Sequence, residues 1–360
     1  MKMNFGISAW PLVAACALLA GCFERPPVDV VQGGYRGTAM MTISNPRDKA
    51  EKLAAQKVPD VIPAAPEGGP LANTIYKNVP VLGGLSVGEF TRTMVAMTNW
   101  IAPKEGCNYC HKEGEDFSAD ALYTKVVARR MLQMTQTVNS EWKPHVGSTG
   151  VTCYTCHRGQ HVPEYTWTAP AANPQAARMT GNDAGQNKPS TAVGLTSLPY
   201  DPFSTYLSGS KDIRVVSTTA LPTPTKHAIK DTEGTYALMV HMSEGLGVNC
   251  TYCHNSQAFS SWQGSTPKRV TAWHGIRMAR EINNNYITSL TDVFPANRKG
   301  PQGDVAKVNC ETCHQGVFKP LAGAKMAADY PAVLGPIGSP TAVPTADKVA
   351  SSATPDTTKK

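Results

Sequence analysis

Four blocks of the form Cys-x-x-Cys-His constrain this 360-residue chain more than any other feature. They are Cys107-Asn-Tyr-Cys110-His111, Cys153-Tyr-Thr-Cys156-His157, Cys250-Thr-Tyr-Cys253-His254 and Cys310-Glu-Thr-Cys313-His314. In such a block two thiols add to the vinyl groups of a haem and the adjoining imidazole is delivered to one face of the iron, which makes it the attachment signal of a c-type haem. Four blocks imply four haems. They take eight of the ten cysteines and leave Cys16 and Cys22, so a disulfide framework is not the organising device. Zinc or thiol-redox use of Cys-x-x-Cys does not explain a His directly after every copy. A chain that encloses four haems fills part of its interior with something other than side chains. The 7% aromatic content, with 30 Gly and 28 Pro, fits a loop-rich fold of that kind.

The formal charge is +7, or +6 once a leader containing Lys2 is removed. Taken alone this points to nucleic acid or an anionic surface. Four haems would add eight propionate carboxylates, however, and no Arg/Lys run is interleaved with aromatics, which sets nucleic acid aside.

Residues 1–21 combine Lys2, an apolar run through Phe5, Ile7, Trp10, Leu12 and Leu18, and a small-residue ending, as in an export leader. Leu19-Ala-Gly-Cys22 looks like a bacterial lipobox. It predicts Cys22 as the first mature residue and a lipid anchor that holds the chain to a membrane surface without spanning it. Residues 22–85 are rich in Pro and Gly and read as an extended arm, with at most one short helix near Pro46 to Gln56, either disordered or ordered on a partner.

Four units of helix followed by haem block come next. The first opens at Ser86-Val-Gly-Glu89, a capping box, with Leu85 and Phe90 as a hydrophobic staple; the second opens at Ser118 with Phe117 and Leu122 in the same places. The third begins near Thr232, and the fourth at Thr266 with Pro267 in the first turn. From the first helix Met to the first Cys the separations are 107−94 = 13, 153−131 = 22, 250−239 = 11 and 310−278 = 32. Short, long, short, long predicts duplication of a two-haem module. The expected fold is mainly α with extensive irregular segments: a first module over 86–162, a connecting segment over 163–230, a second module over 231–320, and a low-complexity tail over 321–360.

Met94 and Met97, Met131 and Met134, and Met239 and Met242 each sit three residues apart, on one helical face just before a block. A Met pair is ordinarily core filler. Three recurrences at the same place point instead to one axial iron ligand per pair, opposite His111, His157 and His254, and spacing does not say which Met it is. The fourth helix has no such pair. His145, His161, His227, His241 and His274 are uncommitted, and by internal repeat Arg277-Met278 stands where Arg130-Met131 does, which favours Met278. Iron with both faces taken leaves no substrate site, and Met/His ligation raises its potential, so electron transfer is favoured over catalysis.

The lipobox, Gln32-Gly-Gly-Tyr-Arg-Gly37, the four blocks in two pairs and the Met-bearing helices together resemble the tetrahaem cytochrome c subunit bound to the photosynthetic reaction centre of purple bacteria. The resemblance runs from the lipobox to about residue 320. It implies that Met94, Met131 and Met239 are the ligands, and that the fourth haem is bis-His, with His145 opposite His314 and Met278 as packing. Thr266-Pro-Lys-Arg269 matches a run that places an Arg beside the haem nearest the chlorophyll pair, which makes Arg269 a candidate for shaping that haem's environment. The implied protein is not an enzyme. It is a lipid-anchored carrier on the periplasmic face of the inner, photosynthetic membrane, reducing the photo-oxidised bacteriochlorophyll special pair with electrons from a soluble periplasmic donor such as a small cytochrome c or a high-potential iron-sulfur protein. Charges at Lys104, Glu105, Lys112, Glu113, Glu115 and Asp116 give the first block an acidic bias suited to a basic donor. The rival readings are a free-standing periplasmic multihaem reductase, which needs an open haem face, and a quinol-oxidising cytochrome, which lacks a spanning helix here.

Overall fold

The computed structural model describes residues 27–34, 40–171, 187–216 and 227–337. The leader, Cys22, the Tyr35–Gly37 half of the Gln32–Gly37 motif and the chain from 338 onward lie outside the described residues. The fold is mainly helical, with long irregular connections, and no helix among the described residues is long and apolar enough to cross a membrane.

The arm is more ordered than its composition predicts, and it lies on its own chain. β1 (Asp29–Gln32) and β2 (Met41–Ser44) form an antiparallel hairpin, followed by α1 (Pro46–Ala54) and a single turn α2 (Ala72–Ile75). α1 starts where Asn45 accepts a bond from Arg47 N at 3.0 Å and Pro46 occupies the first turn, where its missing N–H leaves no bond unmade. The hairpin is fastened to the third haem block, because Asn249 and Thr251 both donate to Met41 O. Gln56 is buried, and its side-chain oxygen accepts from Arg158, just past the second block, and from Leu321 N. Buried polar groups need such partners, so the arm is held in one register.

α3 (Val87–Ile101) is capped as expected by Ser86, which accepts from Glu89 N. α4 (Tyr123–Glu141) differs. It starts after Leu122 with no side-chain cap, Ser118 lies in a turn bonded to Asp116, and Phe117 is 68% exposed and staples nothing. The one-turn α5 (Lys143–Val146) and α6 (Cys153–His157) complete the first half. The connecting segment includes the short pair β3 (Lys188–Pro189) and β4 (Ser197–Leu198), and it supplies core as well as linkage, since Trp167, Phe203, Tyr206 and Leu207 are buried against Leu238 and Ile276. α7 (Ile229–Leu246) starts three residues earlier than Thr232. α8 (Pro267–Glu281) has Pro267 in its first turn, as the sequence predicts, and α9 (Cys310–His314) carries the last block.

Residues 321–337 correct the expectation of a coreless tail. Leu321, Met326, Tyr330, Ala332 and Val333 are buried against Leu82, Trp100 and Leu132 of the first half. Short 3-10 turns built on Pro320 and Pro331 expose no helical periodicity, which hides this packing from the sequence. Arg92 locks the closure. It donates to Ile62 O at 2.8 and 3.0 Å, pairs with Glu89 at 2.6 Å and lies 4.2 Å above the Tyr330 ring. Arg92→Met is expected to destabilise the fold by about 2–3 kcal/mol in chemical denaturation, because Glu89 then keeps a desolvated charge without its partner.

The four blocks fall into two conformations. The second and fourth are the short α-helices α6 and α9, each ending in a left-handed residue, Arg158 (φ 52°) or Gln315 (φ 48°), followed by a positive-φ Gly. The first and third are 3-10 turns, Gly106–Tyr109 and Cys250–Tyr252. The alternation matches the long and short spacings. α7 meets α9 backbone to backbone: Gly316 N donates to Gly245 O at 2.8 Å, and a Cβ on Gly247 would sit 1.9 Å from Gly316 O.

Candidate haem-binding site

The three Met pairs all pack into apolar clusters of the fold. Met94 and Met97 pack on the core of the first half, Met239 and Met242 on that of the second, and Met131 and Met134 join Val138, Ile282 and Val305 between them. Both members of each pair are half-buried, so burial ranks neither above the other. Met278 packs in the same cluster as Met131.

The histidines are more telling. All four block imidazoles bond a backbone carbonyl through Nδ1: His111 to Phe117 O at 3.1 Å, His157 to Gln160 O at 2.9 Å, His254 to Phe259 O at 2.9 Å and His314 to Val317 O at 3.0 Å. A carbonyl only accepts, so Nδ1 carries the proton and the lone pair is on Nε2, the tautomer a metal ligand needs. The acceptor lies three residues on in the helical blocks and five or six on in the 3-10 blocks. Backbone acceptors have no side-chain signature, and sequence reasoning missed them. Burial holds all four imidazoles below the usual histidine range and neutral; His314, where burial is joined by the neighbouring His145, is lowered to about 4.

His145 behaves as a fifth member of this set. α5 turns it toward α8, where Nδ1 bonds Thr271 O at 2.9 Å, and its ring centroid is 5.9 Å from that of His314. Metal–imidazole bonds are about 2 Å long, so this separation is of the size that two imidazoles on opposite faces of one ion require. Gly275 makes the approach possible, since a Cβ there would lie 2.5 Å from His145 Cε1. Thr271 and Gly275 position His145, and the sequence did not flag them. Of the other free histidines, His161 bonds Glu105 at 2.8 Å and stacks on Tyr109, His274 lies against Trp273, and His241 is buried against Phe203.

Arg269 reaches the third block through backbone. It donates to Ser261 O at 2.7 Å and, at 3.5 Å, to the same Phe259 carbonyl that accepts from His254. Cys110, Cys153, Cys253 and Cys310 are pushed up by burial to about 11, 11, 11 and 12, and so remain protonated thiols. Cys156 and Cys313, which the sequence assigns to haem attachment in two different blocks, are brought together. α6 and α9 pack together with these Cα atoms 4.5 Å apart, and the two sulfurs are joined as a disulfide. Thioether attachment to haem and this disulfide use the same sulfurs and are alternatives. Among the described residues no group of three or more His, Cys, Asp or Glu converges as an ion site.

Comparison with known proteins agrees with this donor chemistry. The family model described as "Photosynthetic reaction centre cytochrome C subunit" matches residues 24–334. Proteins named photosynthetic reaction center cytochrome c subunit are similar over most of the chain. The one from Rubrivivax gelatinosus is 59% identical over 320 residues, covering 89% of this chain and 87% of its own length. That from Thermochromatium tepidum is 51% identical, covering 89% and 78%, and that from Roseobacter denitrificans 42%, covering 84% of each. With its haem blocks, its Nδ1-anchored imidazoles and a match from residue 24 to 334, the chain belongs to the family of photosynthetic reaction centre cytochrome c subunits.

Proposed function

We propose that the chain is a tetrahaem one-electron carrier docked on the reaction-centre core, reducing the photo-oxidised bacteriochlorophyll pair with electrons from a soluble periplasmic donor. The observation that carries this reading is the shared state of five imidazoles, neutral and anchored through Nδ1, four of them in Cys-x-x-Cys-His blocks. Haem supplies reversible Fe(III)/Fe(II) chemistry when bound. Cys107 and Cys110, Cys153 and Cys156, Cys250 and Cys253, and Cys310 and Cys313 would anchor the four macrocycles. His111 with Met94, His157 with Met131, His254 with Met239 and His314 with His145 would take both faces of each iron. The protein's part is to fix spacing, orient ligands through backbone carbonyls and keep water out. No bond-making chemistry on a substrate is assigned to it.

Two duplicated two-haem modules, 86–162 and 231–320, are supported by the alternation of block conformations and spacings. Lipid at Cys22 would tether the chain to the periplasmic face of the membrane. Donor docking is assigned to the acidic rim around Glu105, Glu113, Glu115 and Asp116. A flash experiment on the membrane complex tests the reading: α-band bleaching of c-type haem should follow photo-oxidation of the chlorophyll pair, with four haems per chain by haemochrome assay. Absence of flash-induced oxidation, or rapid carbon monoxide binding by the reduced wild-type protein, overturns it in favour of a reductase.

A further inference from the structure

The turn between the first block and α4 is built around a side chain of α4 itself. Lys125, whose side chain is 12% exposed, donates through Nζ to three successive carbonyls, Phe117 O, Ser118 O and Ala119 O, each at 2.8 Å. Three acceptors use the full donor complement of an ammonium. Phe117 O is also the oxygen that accepts from His111 Nδ1 at 3.1 Å, so the block imidazole and the ammonium share one carbonyl. Asp120 pairs with Lys125 at 3.1 Å but takes two further bonds from Arg129, at 2.9 and 3.2 Å, so one acid stands between two cations. Asp116, bonded to Ser118 N at 2.7 Å, is exposed, where water and salt screen it. A net positive charge therefore stays beside the anchor of His111. Asn78 secures the same turn without charge, donating to Ser118 O at 2.6 Å and to Asp120 at 3.0 Å. The cage also accounts for the uncapped start of α4, because residues 117–119 turn their carbonyls onto Lys125. The third block is clasped in the same way. Thr124 Oγ1, beside Lys125, donates to Tyr109 O of the first block; Thr266 Oγ1 donates to Tyr252 O of the third, and Arg269 shares Phe259 O with His254.

We propose that Lys125 is a positioning residue that raises the reduction potential at the first block by sharing the Phe117 carbonyl with His111. The inference rests on the reading of His111 as an iron ligand and adds to it the residue that sets how strongly that ligand donates. Two effects act in the same direction. An outer acceptor strengthens an imidazole as a metal donor. An oxygen that also bonds an ammonium accepts less from Nδ1–H, and a weaker imidazole donor favours the reduced metal. A fixed positive charge likewise favours the state that carries one positive charge fewer. Reduction takes one electron, supplied by the soluble donor in the complex, and no bond forms or breaks at Lys125.

Redox titration of the full haem-loaded chain is the test. In Lys125→Met one of the four one-electron steps should shift about tenfold toward the oxidised form, the low end of what loss of an outer partner does to a metal site and about 59 mV for a one-electron couple. That step should belong to the haem whose spectrum responds to Met94→Leu or Met97→Leu, and the other three should not move. Lys125→Gln, which leaves a neutral donor in the cage, should shift the same step in the same direction. Lys125→Arg keeps the charge and should hold the wild-type value. Asn78→Ala loosens the same turn without removing charge and should hold it too. No shift in Lys125→Met and Lys125→Gln, or a shift confined to another haem, overturns the proposal. A fall in Lys125→Arg or Asn78→Ala equal to that in Lys125→Met also overturns it, by assigning the effect to the folding of the turn. Fewer than four steps in the wild type overturns the four-haem reading itself, whereas four wild-type steps with none displaced in the Lys125 variants overturns this inference alone.

Discussion

Replacing His145 with Ala should convert one haem in four from low spin to high spin, visible as a new electron paramagnetic resonance signal and as carbon monoxide binding at about one haem per reduced chain. Met278→Leu should leave all four haems low spin. The expectation follows from geometry on both sides of the site. The His145 ring is pinned to Thr271 O, faces His314 at 5.9 Å and is admitted by the missing side chain of Gly275. Met278 packs among Val138, Ile282 and Met131. Because Met/His ligation raises haem potential, the haem that loses His145 should be the lowest of the four in redox titration. A spin-state change in the Met278 variant, with none in the His145 variant, would reverse the assignment and restore the symmetry of the internal repeat.

Gly247→Val should lower stability by about 3–5 kcal/mol, combining the strain of a β-branched residue at positive φ with overpacking against backbone. Gly247 ends α7 at φ 62°, its N–H bonds Glu244 O, and a Cβ would meet the Gly316 carbonyl. That carbonyl cannot swing aside as a side chain would, because Gly316 N is itself bonded to Gly245 O. Gly303→Ala separates the two contributions: its φ is 78° but nothing lies within 4 Å of the added carbon, so it should cost only about 1 kcal/mol. Equal losses in the two variants, measured by denaturant titration, would mean that the α7–α9 approach contributes nothing.

Features written in side chains were legible in the sequence. Ser86 and Pro267 start their helices where capping chemistry requires, and the Met-to-Cys spacings, read as a sign of duplication, alternate in step with the two block conformations. Features written in the backbone were not legible. The carbonyls of Phe117, Gln160, Phe259, Val317 and Thr271, which set the imidazole tautomers, look like any others in a sequence. Ser118 offered the chemistry of a helix cap, but its backbone bonds Asp116 and the helix begins at Tyr123. Residues 321–337 read as a tail because Pro-initiated turns carry neither helical nor strand periodicity, although Tyr330 and Val333 are among the most deeply buried side chains. The arm's one expected helix, near Pro46 to Gln56, forms as α1, but its fastening was hidden for the same reason: its Pro and Gly residues break helices without preventing Gln56 from joining Arg158, just past the second block, to Leu321.

That closure of the first half by residues 321–337 also sets the order of events during biosynthesis. Trp100 and Leu132 wait for Tyr330, which lies 330−100 = 230 and 330−132 = 198 residues later in the chain, so a chain emerging N-terminus first cannot complete this core until residues 321–333 have been made. Until then Cys153, buried in that core in the finished fold, stays accessible. Residues 321–337 act as a latch on the first half, and Tyr330→Ala with Val333→Ala should leave that half easy prey for proteases.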